Sequence, residues 1–154
     1  MGMHLAALLV LGLMCGSELN VALFSHPLLK RQPLETHILV RASLARLFGK
    51  VMPLWMPGSM LLNLLLLLPF ENLNRSAWRF AAIAFGIQVL AVLFSLVGPV
   101  PINNRITKWT PNSLPENWST EEHRWDTYHF VRTCGLVVAF ALLALSIAAR
   151  ANVR

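Results

Sequence analysis

Apolar residues are gathered into four long runs, and shorter polar segments separate them. The runs cover residues 3–24, 53–70, 77–98 and 130–149. Because a helix needs roughly 20 apolar residues to cross a bilayer, each run predicts a membrane span. A short connection around residues 71–76 joins the second and third runs as a helical hairpin, and residues 34–50 have the pattern of an amphipathic, interfacial helix. The chain, residues 1–154, is therefore predicted to be all-α, one transmembrane domain built as an integral membrane four-helix bundle.

The connection between the third and fourth runs, about residues 99–129, is long and rich in aromatic residues. It contains three of the five tryptophans, whereas connections between bundle helices usually have about 2–8 residues. Pro99 and Pro101 are expected to stop the preceding helix. Asn103, Asn104 and Arg105 are then expected on non-helical backbone at the mouth of the membrane, where such backbone is tolerated only if it is buried in protein or lines a wet cavity.

A helix is predicted to begin near Ser119, which forms a capping-box pattern with Glu122, and to continue unbroken into the fourth run. At 3.6 residues per turn, one stripe of this helix carries Trp118, Glu122, Trp125, His129, Arg132 and Leu136. Because apolar Leu136 should pack inward, the polar part of the stripe is expected to face the bundle. Aromatic-belt anchoring with a snorkelling arginine is the alternative for Trp118 and Arg124.

Composition and charge support a membrane protein. Hydrophobic residues make up 56% of the chain and charged residues 13%, against about 25% charged in soluble domains. The net charge of +6 is spread beside the apolar runs, as in membrane flanks, and it forms no nucleic-acid-binding block. Nine Lys and Arg flank the two longer connections and four lie on the other side. This bias predicts a plasma (inner) membrane protein whose long loops are cytoplasmic.

Glu18 is an ionisable residue inside the first apolar run, nearer to its loop-side end. A charge at such a depth costs on the order of 2.5–3.5 kcal/mol on insertion scales, so it marks a candidate functional site. Ser25 shares its helical stripe and His26 lies about 80° round the helix, so both are expected at the mouth of the same cavity. The alternative role is a hydrogen bond that only holds helices together, as expected of Asn63 and Gln88.

Polar residues from separate segments are thus predicted to converge on one end of the bundle. Buried apart, their donors and acceptors would stay unpaired at roughly 1–3 kcal/mol each. Facing one another around a wet or ligand-filled cavity, they would be satisfied together. We therefore expect Asn103, Asn104 and Arg105 within contact distance of the stripe that holds Trp125, His129 and Arg132.

The motif that begins at Pro101 resembles the signature of the anthrone oxygenase-like family of small four-helix membrane proteins. The matching residues are Pro101, Ile102, Asn103, Asn104, Arg105, Trp109, Trp118, Arg124, Trp125, His129 and Arg132. The four-span layout and the Met52-Pro53 start of the second run extend the resemblance along the chain. It implies an integral membrane four-helix bundle and, for some members, O2-dependent conversion of an anthrone to an anthraquinone. Glu18 lies outside this motif.

An anthrone has a doubly benzylic CH2 next to a conjugated carbonyl, so loss of a proton gives a delocalised anion that can react with O2. Such a reaction needs a base, donors for the developing oxyanion and a dry aromatic slot. For this chemistry His129 is the predicted base, and Arg132 or Arg105 together with Asn104 are the predicted donors. The predicted catalytic residues are therefore His129, Arg132 and Asn104, and Glu18 is added because of its position inside a membrane span. The predicted substrate-binding residues are Asn103, Arg105, Trp109, Trp125 and His26.

No cofactor and no metal ligand is predicted. A glycine-rich flavin fingerprint is absent from the sequence, whereas a haem, or a two-histidine, one-carboxylate metal set of His26, His129 and Glu18, stays open. A small proton-coupled carrier or exporter, or a membrane scaffold without catalysis, is the competing function. The long aromatic connection favours an enzyme because it suits a lid. The expected partners are a hydrophobic small-molecule ligand and the lipid bilayer, with no nucleic acid and with homo-oligomerisation as an option.

Overall fold

The computed structural model describes residues 2–68 and 73–151, and no β-strand occurs in these ranges. The elements are α1 (Gly2–Asn20), a π-helical turn (Val21–Ser25), α2 (His26–Leu29), α3 (Leu34–Leu66), α4 (Arg75–Val97), α5 (Pro99–Ile106) and α6 (Trp118–Ala151). Within the described residues, three helices are long and apolar enough to cross a membrane: Gly2–Leu29, Arg75–Val97 and Trp118–Arg150. The protein is therefore all-helical and of the integral membrane class.

α3 is one helix of 33 residues, so the prediction of a separate interfacial helix before the second span was wrong. Pro53 and Pro57 lie inside α3 rather than in the first turns of a new helix. A proline removes one backbone hydrogen bond, and packing against neighbouring helices tolerates such a gap in a membrane protein. The predicted end of that span, at residues 69 and 70, lies outside the described residues.

The predicted non-helical backbone after the third span is also wrong, because Pro99–Ile106 forms the short helix α5. Gly98 ends α4, and Pro99 follows at the first position of the new helix. The first N–H groups of a helix have no intrahelical partner, so prolines in the first turn cost little there. The two prolines that prevent α4 from continuing therefore lie in the first turn of α5. Only residues 107–117 of the connection are outside helices.

α6 begins at Trp118 and runs without a break to Ala151, so the predicted continuity into the fourth run is confirmed. The predicted capping box is wrong, because Ser119 lies inside the helix rather than at its N-cap. It packs along α4 and α1, while α3 packs on α1 and α4. Gly12 of α1 permits the close approach to α6, because a β-carbon there would come within 2.8 Å of the Phe140 ring. Two apolar clusters form the core, one in the middle of the bundle around Leu11 and Leu136, and one at the α5 end around Ile38 and Ile106.

Candidate functional site

The polar stripe predicted on α6 faces the interior. Trp125, His129, Arg132 and Leu136 are buried together with Glu122, while Arg124 is exposed. These residues recur at three- and four-residue intervals, which place them on one side of an α-helix. Because α6 has no break, this one helix carries polar groups from the membrane boundary into the bundle.

The π-helical turn brings His26 onto the same face as Glu18. Its hydrogen bonds skip five residues, as from the His26 N–H to the Val21 carbonyl, so the turn adds about one residue to the helical ladder. One residue is worth roughly 100° of rotation. His26, about 80° from Glu18 on an uninterrupted α-helix, therefore comes to within about 20° of it. Both side chains are buried, and Pro27, which lacks an N–H, follows His26.

Glu18 lies at the centre of an inner polar cluster and is 1% exposed. Arg132 donates to Glu18 Oε2 through Nη2 at 2.6 Å and through Nε at 3.2 Å. Arg132 Nη1 also donates to Ser95 Oγ at 3.2 Å. Thr133 Oγ1 lies 3.4 Å from the same carboxylate oxygen. The pair is thus held by α1, α4 and α6 together, and each charge offsets the other inside the bundle.

The geometry fixes which nitrogen of His129 carries the proton. Nε2 lies 3.1 Å from the backbone carbonyl of Glu18, and a carbonyl only accepts, so Nε2 is the donor. Nδ1 then accepts from Arg132 Nη2 at 3.1 Å and faces Glu18 Oε2 at 3.3 Å. Both ring nitrogens of His129 therefore have protein partners.

A second, outer polar cluster joins α2, α3 and α6, and five of its members were not predicted as site residues: Lys30, His37, Arg41, Glu122 and Asp126. His26 donates through Nδ1 to Asp126 Oδ1 at 2.9 Å and accepts from Arg41 Nη1 at 2.7 Å. Lys30 Nζ lies 2.5 Å from Asp126 Oδ2 at the more exposed edge of the cluster. Asp126 therefore links buried His26 to the surface.

Glu122 of α6 is the remaining member of the outer cluster. His37 Nε2 donates to Glu122 Oε1 at 2.7 Å, and Arg41 Nε lies 3.3 Å from the same oxygen. Burial lowers the pKa of the Arg41 guanidinium, while Asp126 and Glu122 act to raise it. The sequence holds a partial signal for this cluster, because His37 and Arg41 are four residues apart on one helix and Glu122 and Asp126 on another, but this spacing does not show that the two pairs meet.

Trp125 lies between the two clusters. Its ring stacks on His129 with centroids 4.6 Å apart and planes at 12°, and the Arg41 guanidinium carbon lies 4.2 Å from the Trp125 ring centroid. Arginine and histidine planes both pack well on an indole face. Trp125 thereby fixes the spacing between the inner and outer clusters.

A cavity of about 280 Å³ lies against these clusters and is bounded by α1, α3, α4, α5 and α6. Glu18, His26, Arg41, Trp125, His129 and Arg132 line it, as do Asn103 and Asn104. The remaining wall is mainly apolar and includes Phe48, Met52, Pro53, Val92 and Leu96. Within the described chain, every hydrogen bond to the Glu18 carboxylate ends on Oε2, and none ends on Oε1.

The structure brings Asn103 and Asn104, but not Arg105 or Trp109, to this cavity. Asn103 Nδ2 donates to the Ala45 carbonyl of α3 at 3.1 Å, which ties α5 to the wall. Arg105 instead pairs with Glu121 at 2.7 Å, and its side chain is 50% exposed. Trp109 packs in the apolar cluster at the α5 end. Helical winding of α5 separates these positions, whereas the expected irregular backbone would have let all three polar groups turn inward.

The metal set left open by the sequence is not formed. His26 and His129 have ring centroids 6.3 Å apart, and their nitrogens contact Asp126, Arg41, Arg132 and a backbone carbonyl. Across the parts of the chain that the structure describes, no group of three or more His, Cys, Asp or Glu is placed to hold a metal ion. Thus His26, His129 and Glu18 are engaged in hydrogen bonds and ion pairs rather than arranged as ligands.

Comparison with curated proteins and with solved structures finds no match. The anthrone oxygenase family model matches residues 44–142, which is more than half of the chain. The matched region holds α5, most of α6 and the proline-containing part of α3, and it includes Asn104, Trp125, His129 and Arg132. Glu18, His26 and Arg41 precede it and reach the same cavity from α1, α2 and α3. On this match, which confirms the resemblance seen in the motif from Pro101 onward, the chain belongs to the anthrone oxygenase family.

Proposed function

We propose that the protein is a membrane-embedded oxygenase that oxidises a hydrophobic, anthrone-like aromatic molecule with O2 in the cavity beside Glu18. The observation that carries the proposal is a buried carboxylate in an apolar cavity, with Arg132 on one oxygen and no hydrogen bond to the other from the described residues. The family's name indicates oxygenase-type chemistry. A carboxylate of this kind is equipped to remove a proton from an apolar substrate.

Glu18 is a better candidate for the base than His129. Both nitrogens of His129 have partners, whereas Glu18 Oε1 has none among the described residues and its residue lines the cavity. His129 instead positions Arg132 and the main chain of Glu18. Arg132 donates two hydrogen bonds to Glu18 Oε2, and Asn104 adds a polar group to the cavity wall from α5.

The proposed reaction balances with O2 as the only oxidant. Glu18 takes a proton from the CH2 carbon, and the resulting anion transfers its electrons to O2, so that a C–O bond forms. The peroxide oxygen gains a proton, giving a hydroperoxide on that carbon. Loss of water breaks the O–O bond and the remaining C–H bond and leaves a carbonyl. The CH2 group and O2 thus become C=O and H2O.

The cavity has a size and a wall that suit one compact aromatic molecule. Its volume of about 280 Å³ is near the lower end of ligand pockets, which run from roughly 300 to 1,000 Å³. Leu96 and Val100 line the cavity and are 59% and 39% exposed. We propose that the ligand enters from the bilayer past these apolar side chains.

We also propose that the second half of α3 supplies a fourth membrane crossing. Residues 51–68 carry no charged side chain and are close to the 17–25 residues that a crossing needs. The charged residues of α3 lie before this segment, at the end of the bundle that holds the outer cluster. From the positive-inside bias we further propose that this end faces the cytoplasm, with the plasma (inner) membrane as the location.

The test is enzyme-dependent turnover of anthrone by protein in lipid nanodiscs, measured above the spontaneous background. One O2 should be consumed per anthrone, and with ¹⁸O2 the new carbonyl of anthraquinone should carry the label. Glu18→Gln should lower the rate by about 10²–10⁴-fold, the usual contribution of a positioned base. Glu18→Asp keeps the negative charge beside Arg132, so the turnover rate is also measured in a variant whose fold is closer to the native one.

The matched control is Glu121→Gln, the same substitution on a glutamate that pairs with Arg105 outside the cavity. It should keep the wild-type rate. If wild-type protein gives no turnover but moves anthrone across proteoliposomes in exchange for protons, the protein is a carrier and the oxygenase proposal fails.

A further inference from the structure

Trp125 has a buried hydrogen-bond donor without a protein acceptor. The residue is 7% exposed and lines the cavity, and its indole Nε1 makes no hydrogen bond within the described chain. A buried tryptophan normally places this N–H against an acceptor, and an unpaired donor costs roughly 1–3 kcal/mol. Stacking against His129 and Arg41 accounts for the faces of the ring but not for its N–H group.

Arg41, which packs on Trp125, also has buried hydrogen-bond donors without a protein acceptor. It is 1% exposed, and its one hydrogen bond runs from Nη1 to His26. Nε and Nη2 lie 3.3 and 3.6 Å from the Glu122 and Asp126 carboxylates, but neither nitrogen makes a hydrogen bond to a described residue. A guanidinium offers five N–H donors. Several of them are therefore free for a ligand at a residue that lines the cavity.

The local charges indicate what kind of acceptor is missing. In the outer cluster, Arg41 and Lys30 carry two positive charges, and Glu122 and Asp126 balance them. In the inner cluster Glu18 balances Arg132. Since both clusters are already neutral overall, a second full anion has no cation to pair with. The acceptor that the Trp125 and Arg41 donors lack is therefore a neutral one, and the carbonyl oxygen of a ligand is such an acceptor.

We propose that Trp125 Nε1 and the Arg41 guanidinium together bind the carbonyl oxygen of an aromatic ketone in the cavity. This rests on the proposed function in so far as the ketone is the substrate. Trp125 stacks on His129, and His129 Nδ1 is 3.3 Å from Glu18 Oε2, so the donor pair and the carboxylate occupy adjoining parts of one wall. When Glu18 removes the proton, negative charge develops on the carbonyl oxygen, where these donors stabilise it.

The experiment compares binding of anthraquinone and anthracene, two inert molecules with the same three-ring outline, of which only the first has carbonyl oxygens. Equilibrium dialysis against protein in nanodiscs gives the ratio of the two Kd values. Partition into lipid is identical for all variants, so it cancels when variants are compared. Trp125→Phe keeps an aromatic ring and removes the N–H. It should lower the preference for anthraquinone by about three- to tenfold, as expected for one hydrogen bond.

Trp118→Phe is the matched control, since Trp118 also lies at this end of α6 but does not line the cavity; it should keep the wild-type ratio. Arg41→Lys, which keeps the charge but loses the planar fork, should lower the ratio as Trp125→Phe does. A wild-type protein that binds both molecules equally, or a Trp125→Phe protein that keeps the full preference, overturns the assignment. If the wild-type protein prefers anthraquinone to anthracene but does not oxidise anthrone, the oxygenase proposal fails and the assignment of the two donors stands.

Discussion

Glu18 and Arg132 form an ion pair at a depth where water offers little solvation. Removing two charges from water costs several kcal/mol each, and their attraction offsets this only with good geometry and further hydrogen bonds. Here the Nη2–Oε2 distance is 2.6 Å, with Ser95 and Thr133 adding contacts. The two partners differ in one respect, because a carboxylate can take up a proton and become neutral whereas a guanidinium keeps its charge.

This difference predicts an asymmetry between two single substitutions. Glu18→Gln leaves a buried arginine that cannot be neutralised, so it should lower the free energy of unfolding by about 3–5 kcal/mol. Arg132→Met should cost less, because Glu18 can then bind a proton. Unfolding by SDS in mixed micelles at neutral pH measures both. Equal losses, or a larger loss for Arg132→Met, would show that the pair is not buried as described.

Arg105 belongs to the motif from Pro101 onward but does not line the cavity. Its ion pair with Glu121 is half exposed, and exposed pairs contribute about 0–1 kcal/mol. We expect Arg105→Gln to stay within about 1 kcal/mol of wild-type stability and to leave anthrone turnover unchanged. Asn104→Ala, one residue away but lining the cavity, should reduce turnover under the same assay. A strong loss in Arg105→Gln alone would reverse this assignment.

At the scale of the element, regular periodicity decided what could be predicted. The stripe on α6 was recovered from residue spacing because the helix is continuous, and its Trp125, His129 and Arg132 all face the cavity. On α1, spacing alone put His26 about 80° from Glu18; His26 lines the cavity as expected, but the π-helical turn is what rotates it onto the face of Glu18. Arg41 was interpreted as a membrane-flanking charge, since nothing local in the sequence shows that Glu122 and Asp126 meet it from α6.

The π-helical turn itself makes a testable prediction. Deleting Ala22 removes the extra residue of the turn and should convert it to regular α-helix. His26 then lies seven positions after Glu18, about 20° from it at roughly 100° per residue, so it should keep its contact with Asp126. We expect the turnover and the unfolding midpoint of this variant to stay near the wild-type values. Inserting one alanine after Ala22 should instead rotate His26 by roughly 100° and abolish turnover. Loss of turnover in the deletion variant, or wild-type turnover in the insertion variant, would contradict this role of the turn.

At the scale of the whole molecule, the number of membrane crossings determines which ends share a compartment. Three helices satisfy the length and hydropathy of a span, and α3 is the proposed fourth. With four crossings, the connection before α4 and the connection before α6 lie on opposite sides of the membrane. With three crossings that leave out α3, the two connections are still separated by α4, but the N-terminus then lies opposite the connection before α4.

Cysteine labelling in sealed vesicles tests the four-crossing arrangement. In a chain with Cys15 and Cys134 replaced by alanine, we introduce Ser76→Cys, Ser113→Cys or a cysteine at Gly2, one at a time. Ser76 and Ser113 are exposed; Ser76 lies in the first turn of α4 and Ser113 in the connection before α6. The cysteines at 2 and 76 should react from one side and the cysteine at 113 from the other. A cysteine at 2 that reacts from the same side as 113 would rule out a crossing by α3.

The dependence of both polar clusters on α6 has a consequence for biosynthesis. Glu18 leaves the ribosome 114 residues before Arg132, and at roughly 5–20 residues per second this interval lasts on the order of 6–20 s. Arg41 likewise precedes its partners Glu122 and Asp126. The nascent chain therefore carries unpaired charges next to the translocation channel until its last helix arrives. A polypeptide that stops before α6 lacks the ion-pair partners of Glu18 and Arg41, and we expect membrane quality control to remove it.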